Sequence, residues 1–133
     1  MKLMTNALMV AGSAALLLST AISAQAAFVE NEYICEDIYM EKAYDCANNA
    51  IIVEKNRLNK IYNRAYRRLN KVERQQLDTE QLAWLKKRDD KCHFEHDGPM
   101  NNTIVYAQIG ANVCTATETQ KRSKAIAKRY NIQ

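Results

Sequence analysis

The sequence predicts an all-α fold, an antiparallel bundle of about three main helices that is stapled by two disulfides. No glycine or proline occurs between Gly12 and Gly98, and this stretch is rich in the residues that favour helix. Its apolar residues recur at steps of three and four positions, which is the spacing of one helix face. Four cysteines complete the prediction, because an even number in a small exported domain indicates disulfides.

Residues 1–26 are predicted to be a secretory signal peptide. Lys2 supplies a positive charge, residues 7–18 form an apolar segment, and Ala24 and Ala26 fit the A-x-A pattern of a cleavage site. The apolar segment is shorter than the roughly 20 residues that span a bilayer, so we expect no stable membrane anchor. Cleavage removes one lysine and no acid, and therefore lowers the formal charge from +4 to +3. Residues 27–133 are then expected to form one periplasmic or secreted domain.

All four cysteines lie in this predicted mature domain. They allow three pairings, and their spacing favours the two local ones, Cys35–Cys46 and Cys92–Cys114. By the chain-entropy argument, the disulfide that closes the longer of the two segments contributes about 3 kcal/mol to the free energy of unfolding. That is a large share of the stability of a small domain, which is commonly about 5–15 kcal/mol.

The first two helices are predicted over residues 43–69 and 73–94. Asn70 can end the first helix, and together with Glu73 it can also begin the second as a capping pair. Gly98 and Pro99 then mark a loop. The third helix is predicted over residues 103–129, and we expect Gly110 to weaken it.

One face of the second helix combines Gln81, Trp84, Arg88 and Cys92, where an ordinary amphipathic helix would be apolar. The run Q-x-x-W-x-x-x-R-D-x-x-C resembles the LprI-like lysozyme inhibitor family. The residues around it extend the resemblance: Leu58, Asn59 and Tyr62 before it, and Gly98, Met100, Cys114, Thr119, Arg122 and Ile126 after it. The resemblance implies an exported, helical, disulfide-bonded protein and an inhibitor of lysozyme.

The arginine of this motif is interpreted as structural. Trp84 would pack against the first helix, and Arg88 would lay its stem on the same surface and direct its guanidinium at a carboxylate. Glu54 is the expected partner, with Glu41 or Asp45 behind it. An arginine buried without such a partner would cost several kcal/mol.

Structural roles are also expected for two other residues of this motif. Gln81 is expected to bridge helices through its amide, and Asp89, about 100° away around the helix, to bond near the loop. A direct role of the motif in binding a partner is the alternative.

The sequence predicts no catalytic residue, no metal and no cofactor. Residues 92–97 hold a cysteine, two histidines and two acids, but Cys92 is expected in a disulfide and no second pair of ligands occurs elsewhere. The same disulfide removes the thiolate that a Cys-His nucleophile needs. No pair of acids and no Ser-His-Asp arrangement stands out. Without a Gly-rich loop or a long basic run, we expect no nucleotide or nucleic-acid partner.

Two functions remain after these exclusions. The first is inhibition of a lysozyme-like muramidase by the loop at residues 96–102, in which His96, Gly98, Met100 and Asn101 are the candidate contacts. A net charge of +3 offers no attraction to strongly basic animal lysozymes, so a less basic bacterial enzyme is the easier target.

The second function is non-enzymatic binding of an anionic wall or membrane component. A basic helix face would carry it, formed by Lys121, Arg122, Lys124, Lys128 and Arg129. A merely solvated helix face is the alternative interpretation of this cluster. The sequence makes no prediction about oligomeric state.

Overall fold

The computed structural model describes residues 28–132, and the predicted signal peptide lies outside them. Helix α1 spans Met40–Arg68, α2 spans Lys71–Cys92 and α3 spans Asn102–Arg129, and residues 28–132 contain no strand. The predicted disulfides, Cys35–Cys46 and Cys92–Cys114, are both formed. The all-α fold class and the cysteine pairing are therefore confirmed.

The turn between α1 and α2 is as short as the sequence predicts. Asn70 Oδ1 accepts a hydrogen bond from the Glu73 backbone N–H at 3.0 Å, and Glu73 Oε2 accepts one from the Asn70 N–H at 2.9 Å. This reciprocal capping box satisfies two backbone donors at the start of α2. The chain consequently reverses over Leu69 and Asn70.

Consecutive helices run antiparallel, so α1 and α3 run parallel to each other. Three hydrogen-bonded pairs occur in the same order along α1 and α3: Asn48 with Asn112, Arg57 with Gln120, and Arg68 with Tyr130. This interface is the most extensive in the bundle. Its inward positions include the buried alanines Ala43, Ala47, Ala50, Ala65 and Ala116, whose small side chains allow close approach of the helices.

Two apolar clusters form the core. The larger lies toward the α1–α2 turn and contains Leu58, Ile61, Ala65, Leu77, Ile126, Ala127 and Ile132. The smaller lies at the other end around Cys35, Ala43, Ala47 and Ile109. Helix α2 buries only Leu77 and Cys92 fully, so the disulfide of Cys92 is a main attachment of its C-terminal end. No helix of residues 28–132 is long and apolar enough to cross a membrane.

An extended segment, residues 28–39, crosses α1 and α3; we call it the N-terminal strap. Asn31 exchanges two hydrogen bonds with the Gln120 side chain, at 2.6 and 2.9 Å, and Arg57 donates to the Val29 carbonyl at 2.7 Å. Cys35 ends the crossing at its disulfide with Cys46. The strap thus joins α1 to α3 through polar contacts, which the apolar periodicity of the helices does not reveal.

Tyr62 of α1 donates a short hydrogen bond to Asp78 of α2, and Tyr66 donates to the other oxygen of Asp78 at 3.2 Å. Burial and the Asp78 hydrogen bond raise the pKa of Tyr62 well above its ordinary value. A raised pKa favours the protonated phenol in the folded state. Its contribution to stability is therefore complete below the unfolded value, near pH 10, and is lost as the pH rises above it.

We expect Tyr62→Phe to lower the free energy of unfolding by about 1–2 kcal/mol at neutral pH, because a hydrogen bond to a charged acceptor is lost. The variant should also lose less stability than the parent as the pH rises from about 9 to about 11. Urea unfolding across this range measures both effects. Parallel curves for the two proteins would show that Tyr62 is not the titrating group.

Candidate functional site

The loop between α2 and α3, residues 93–101, is held at both of its ends. Cys92, directly before it, is bonded to Cys114 of α3, with 5.5 Å between the two Cα atoms. At its other end Asn101 caps α3, because its side-chain oxygen accepts a hydrogen bond from the Ile104 N–H at 3.1 Å. The loop is therefore anchored by a covalent bond and by a helix cap.

The four candidate contacts of the loop differ in what they present to solvent. The half-buried His96 ring stacks on Phe94, with the ring centroids 6.4 Å apart, and its Nε2 is shielded from solvent. Gly98 has φ of +131°, a conformation that a residue with a Cβ adopts only under strain. The side chain of Asn101 is engaged in capping α3. Met100, 67% exposed, is the apolar side chain that the loop offers to a partner.

A shallow groove lies beside Met100. It is lined by Met40, Glu41 and Tyr44 of α1, Val105 and Gln108 of α3, and Met100 itself. Other exposed apolar side chains lie near it in sequence: Ile34, Ile38 and Tyr39 before α1, and Tyr106 on α3. We call the region formed by residues 34–48 and 93–112 the disulfide end; the hydrogen bond between Asn48 and Asn112 marks its inner limit.

The part of this surface that comes from residues 34–44 was not predicted from the sequence. Ile38, two residues before the start of α1, is an apolar residue that is 88% exposed. The signal was present as apolar residues among the acids of the segment E-D-I-Y-M-E. Only the packing of α1 beside α3 brings this segment to the Met100 loop.

The motif of Gln81, Trp84, Arg88 and Asp89 lies apart from this loop and joins α2 to α3. Gln81 Oε1 accepts a hydrogen bond from Arg122 Nε at 3.0 Å, so its predicted bridging role is confirmed. Trp84 packs against the larger apolar cluster, and the guanidinium carbons of Arg88 and Arg122 lie 5.1 and 5.8 Å from the centre of its ring. The motif therefore places two arginines against the Trp84 ring.

The predicted pair of Arg88 and Glu54 is wrong. Arg88 donates to its neighbour Asp89, through Nη2 at 2.6 Å and Nε at 2.9 Å, so the prediction that Asp89 bonds near the loop is wrong as well. Stacking on Trp84 covers the Arg88 side chain, which is 11% exposed, without bringing it to α1. Glu41 and Asp45, the acids expected behind Glu54, are exposed at the disulfide end.

Glu54 is instead the centre of a polar cluster beneath the N-terminal strap. Its Oε1 accepts hydrogen bonds from Asn31 Nδ2 at 3.0 Å and from the Tyr33 hydroxyl, and its Oε2 lies 3.6 Å from Arg57 Nε. The side chain is fully buried. Burial and the bond to Glu54 raise the pKa of the Tyr33 hydroxyl. This cluster attaches the strap to the bundle.

The basic cluster of α3 is largely engaged within the fold. Lys121 pairs with Glu118 at 2.9 Å, Arg129 pairs with Glu80 at 2.6 Å, and Lys124 pairs with Glu30. Arg122 is the half-buried arginine beside Trp84. The hydrogen bonds from lysines and arginine lower the pKa of Glu118 and of Glu80, as favourable ion pairs do.

No group of three or more His, Cys, Asp or Glu side chains within residues 28–132 is arranged to hold a metal ion. In the run that invited a metal interpretation, Cys92 is bonded to Cys114 and His93 Nε2 lies 3.0 Å from Glu95 Oε1. The geometry of the disulfide end, an anchored loop beside an apolar groove, is suited to contact with another macromolecule.

Comparison with known proteins agrees with this arrangement at the level of the family. The family model described as "Lysozyme inhibitor LprI" matches residues 35–126, more than two thirds of the chain. The matched region begins at the first disulfide cysteine and contains all three helices up to Ile126. No curated protein and no solved structure matches the chain.

Proposed function

Because the chain belongs to the LprI lysozyme inhibitor family, we propose that it binds and inhibits a lysozyme-like muramidase outside the cytoplasm. The observation that carries the proposal is the loop of residues 93–101, which is anchored at both ends and presents Met100 to solvent. A loop held in its bound shape loses little conformational entropy on entering an enzyme cleft, so more of the contact energy remains as affinity.

Two further considerations support export and action at the substrate cleft of the target. Both cysteine pairs are disulfides, which form and persist in oxidising compartments such as the bacterial periplasm. Muramidases cleave their substrate with a pair of carboxyl groups that flank a cleft, and the anchored loop is a preformed segment that could enter such a cleft. We therefore propose that the protein acts by occupying the substrate cleft of its target.

We expect Met100→Ala to weaken inhibition about tenfold, because truncation of an exposed apolar contact in an interface centre costs about 1–2 kcal/mol. The change is made at Met100 alone, since loss of the Asn101 cap would also cost about 1 kcal/mol of stability. The readout is the inhibition constant of the purified, oxidised protein in a cell-wall hydrolysis assay against muramidases of differing charge.

Val72→Ala is the matched control. Val72 is an equally exposed apolar residue, 74% accessible, at the start of α2 and the opposite end of the bundle. Its substitution should leave the inhibition constant unchanged. Equal effects of the two substitutions would reject insertion of the loop, and failure to inhibit any muramidase would reject the proposed function.

A further inference from the structure

The charges of this protein are unevenly distributed over the fold. The disulfide end, residues 34–48 and 93–112, contains one lysine and six acids, Glu36, Asp37, Glu41, Asp45, Glu95 and Asp97, which gives it a formal charge of −5. The remaining described residues, 28–33, 49–92 and 113–132, carry +8. The value of +3 for the whole domain is thus the sum of two opposite regions.

The acids of the disulfide end are placed to act on a partner. All six are exposed. The lysine and arginine ion pairs of residues 28–132 join Glu30, Glu54, Glu80, Asp89 and Glu118, which all lie outside this end. Within it, Asp37 accepts a hydrogen bond from the Tyr39 N–H, and Glu95 faces His93. These ion pairs therefore leave the negative charge of the disulfide end in place.

The same end carries the exposed apolar side chains. Ile38, Tyr39, Met100 and Tyr106 are at least half exposed, and the groove beside Met100 is bordered by Glu41. An apolar centre with a charged rim is the usual composition of a protein–protein interface. Contiguous apolar side chains on a monomer surface also mark such sites.

From this juxtaposition we propose that the disulfide end is the docking surface for a strongly basic lysozyme, whose approach is steered by the six acids. The inference rests on the proposed function, and it identifies the surface of this protein that binds the lysozyme and the charge of that lysozyme. It reverses the expectation from net charge, which favoured a less basic enzyme. A partner that meets this end encounters a local charge of −5. Lys91, which lies just before the loop, is paired with Glu118 at 2.8 Å, and basic residues farther along the bundle are screened over about 10 Å at 0.1 M salt.

The occupant is argued from charge complementarity. Steering by an oppositely charged surface raises association rates by about 10- to 1000-fold at low salt, and it acts on association more than on dissociation. A second copy of this chain is the competing occupant, because its +8 region would also attract the acidic end. Self-association is therefore measured in the same experiment.

The test compares two double variants on α1 that both raise the net charge by two. Glu41→Gln with Asp45→Asn neutralises exposed acids of the disulfide end, whereas Asn56→Lys with Asn63→Lys adds charge at exposed positions farther along the helix. Association and dissociation rates with a strongly basic animal lysozyme are measured by surface plasmon resonance at low and high salt. Sedimentation velocity gives the mass of each free protein.

We expect the acid-neutralised variant to associate about three- to tenfold more slowly at low salt, with an unchanged dissociation rate and no difference at high salt. The lysine variant should change the association rate less than twofold. Equal effects of both variants, or inhibition that is restricted to acidic muramidases, would overturn the inference and leave the proposed function standing.

Two other outcomes also count against the inference. Self-association at low salt that is abolished by the Glu41 and Asp45 substitutions would assign the surface to a second copy. Absence of both binding and inhibition with every muramidase would overturn the proposed function, and the inference with it.

Discussion

Replacing Glu54 by alanine is expected to lower the free energy of unfolding by about 3 kcal/mol. The carboxyl group is fully buried and accepts hydrogen bonds from Asn31 and Tyr33, while Arg57 lies beside it. Its removal leaves these donors without their acceptor, and each such group costs about 1–3 kcal/mol if it stays buried. Urea unfolding at neutral pH measures the loss.

The effect should be localised as well as large. Because the Glu54 cluster attaches the N-terminal strap, we expect Glu54→Ala to increase hydrogen exchange at the Asn31 amide, which is bonded to Gln120 at 2.6 Å. A double-mutant cycle with Tyr33→Phe should give a coupling energy of at least about 0.5 kcal/mol, since the two side chains are in direct contact. Additive losses would show that Tyr33 is not paired with Glu54.

Two substitutions serve as controls. Glu54→Gln keeps the volume and one acceptor oxygen, so its cost should lie well below that of alanine. Arg88→Met should cost less than about 1 kcal/mol, because methionine keeps an apolar chain packed on Trp84 and the Asp89 carboxylate that loses its partner is exposed to water. A loss at Arg88 equal to that at Glu54 would contradict the pairing seen in the structure.

Removal of the Cys92–Cys114 disulfide by two serine substitutions is expected to lower the free energy of unfolding by about 3 kcal/mol. The bond joins residues 22 positions apart and attaches the end of α2, which buries little else. The same change releases one anchor of the Met100 loop. Under the proposed function, inhibition should therefore weaken by at least about tenfold even when the protein remains folded.

Leu77→Ala is the matched control for this second prediction, because truncation of this buried side chain costs about 2–5 kcal/mol in the apolar cluster near the α1–α2 turn, at the opposite end of the bundle from the loop. With both variants compared at a temperature where circular dichroism shows them folded, the alanine variant should inhibit as the parent does. Inhibition that survives loss of the disulfide would reject the role of the anchored loop. Inhibition that falls equally in both variants would show that global stability is the cause.

The helices and the turn between the first two were predictable because they depend on residues close in sequence. A helix is encoded by side chains three and four positions apart, and the capping box of Asn70 and Glu73 spans three residues. The helix ends differ from the predicted ones by at most three residues, at the start of α1. The cysteine pairs were also local, with separations of 11 and 22 residues.

The partners of buried polar groups were not predictable in the same way. The periodicity of α1 shows that Glu54 faces inward, but it does not show whether the strap, α2 or α3 covers that position. The structure places the strap there, and Tyr33 and Asn31 become the partners in place of Arg88. Arg88 makes its contacts within α2, because its guanidinium stacks on Trp84 and pairs with Asp89.

The sequence by itself determined three helices, the capping pair of Asn70 and Glu73, two local disulfides and a net positive charge, all of which follow from composition or from short-range spacing. Only the tertiary structure decided that residues 34–48 and 93–112 form one acidic, partly apolar end of the molecule. These segments lie more than 40 residues apart in the chain. They meet because α1 and α3 pack in parallel and so bring both of their N-terminal ends to the same side. Net charge is a sum over the chain, whereas a partner responds to the charge within a Debye length of its contact surface.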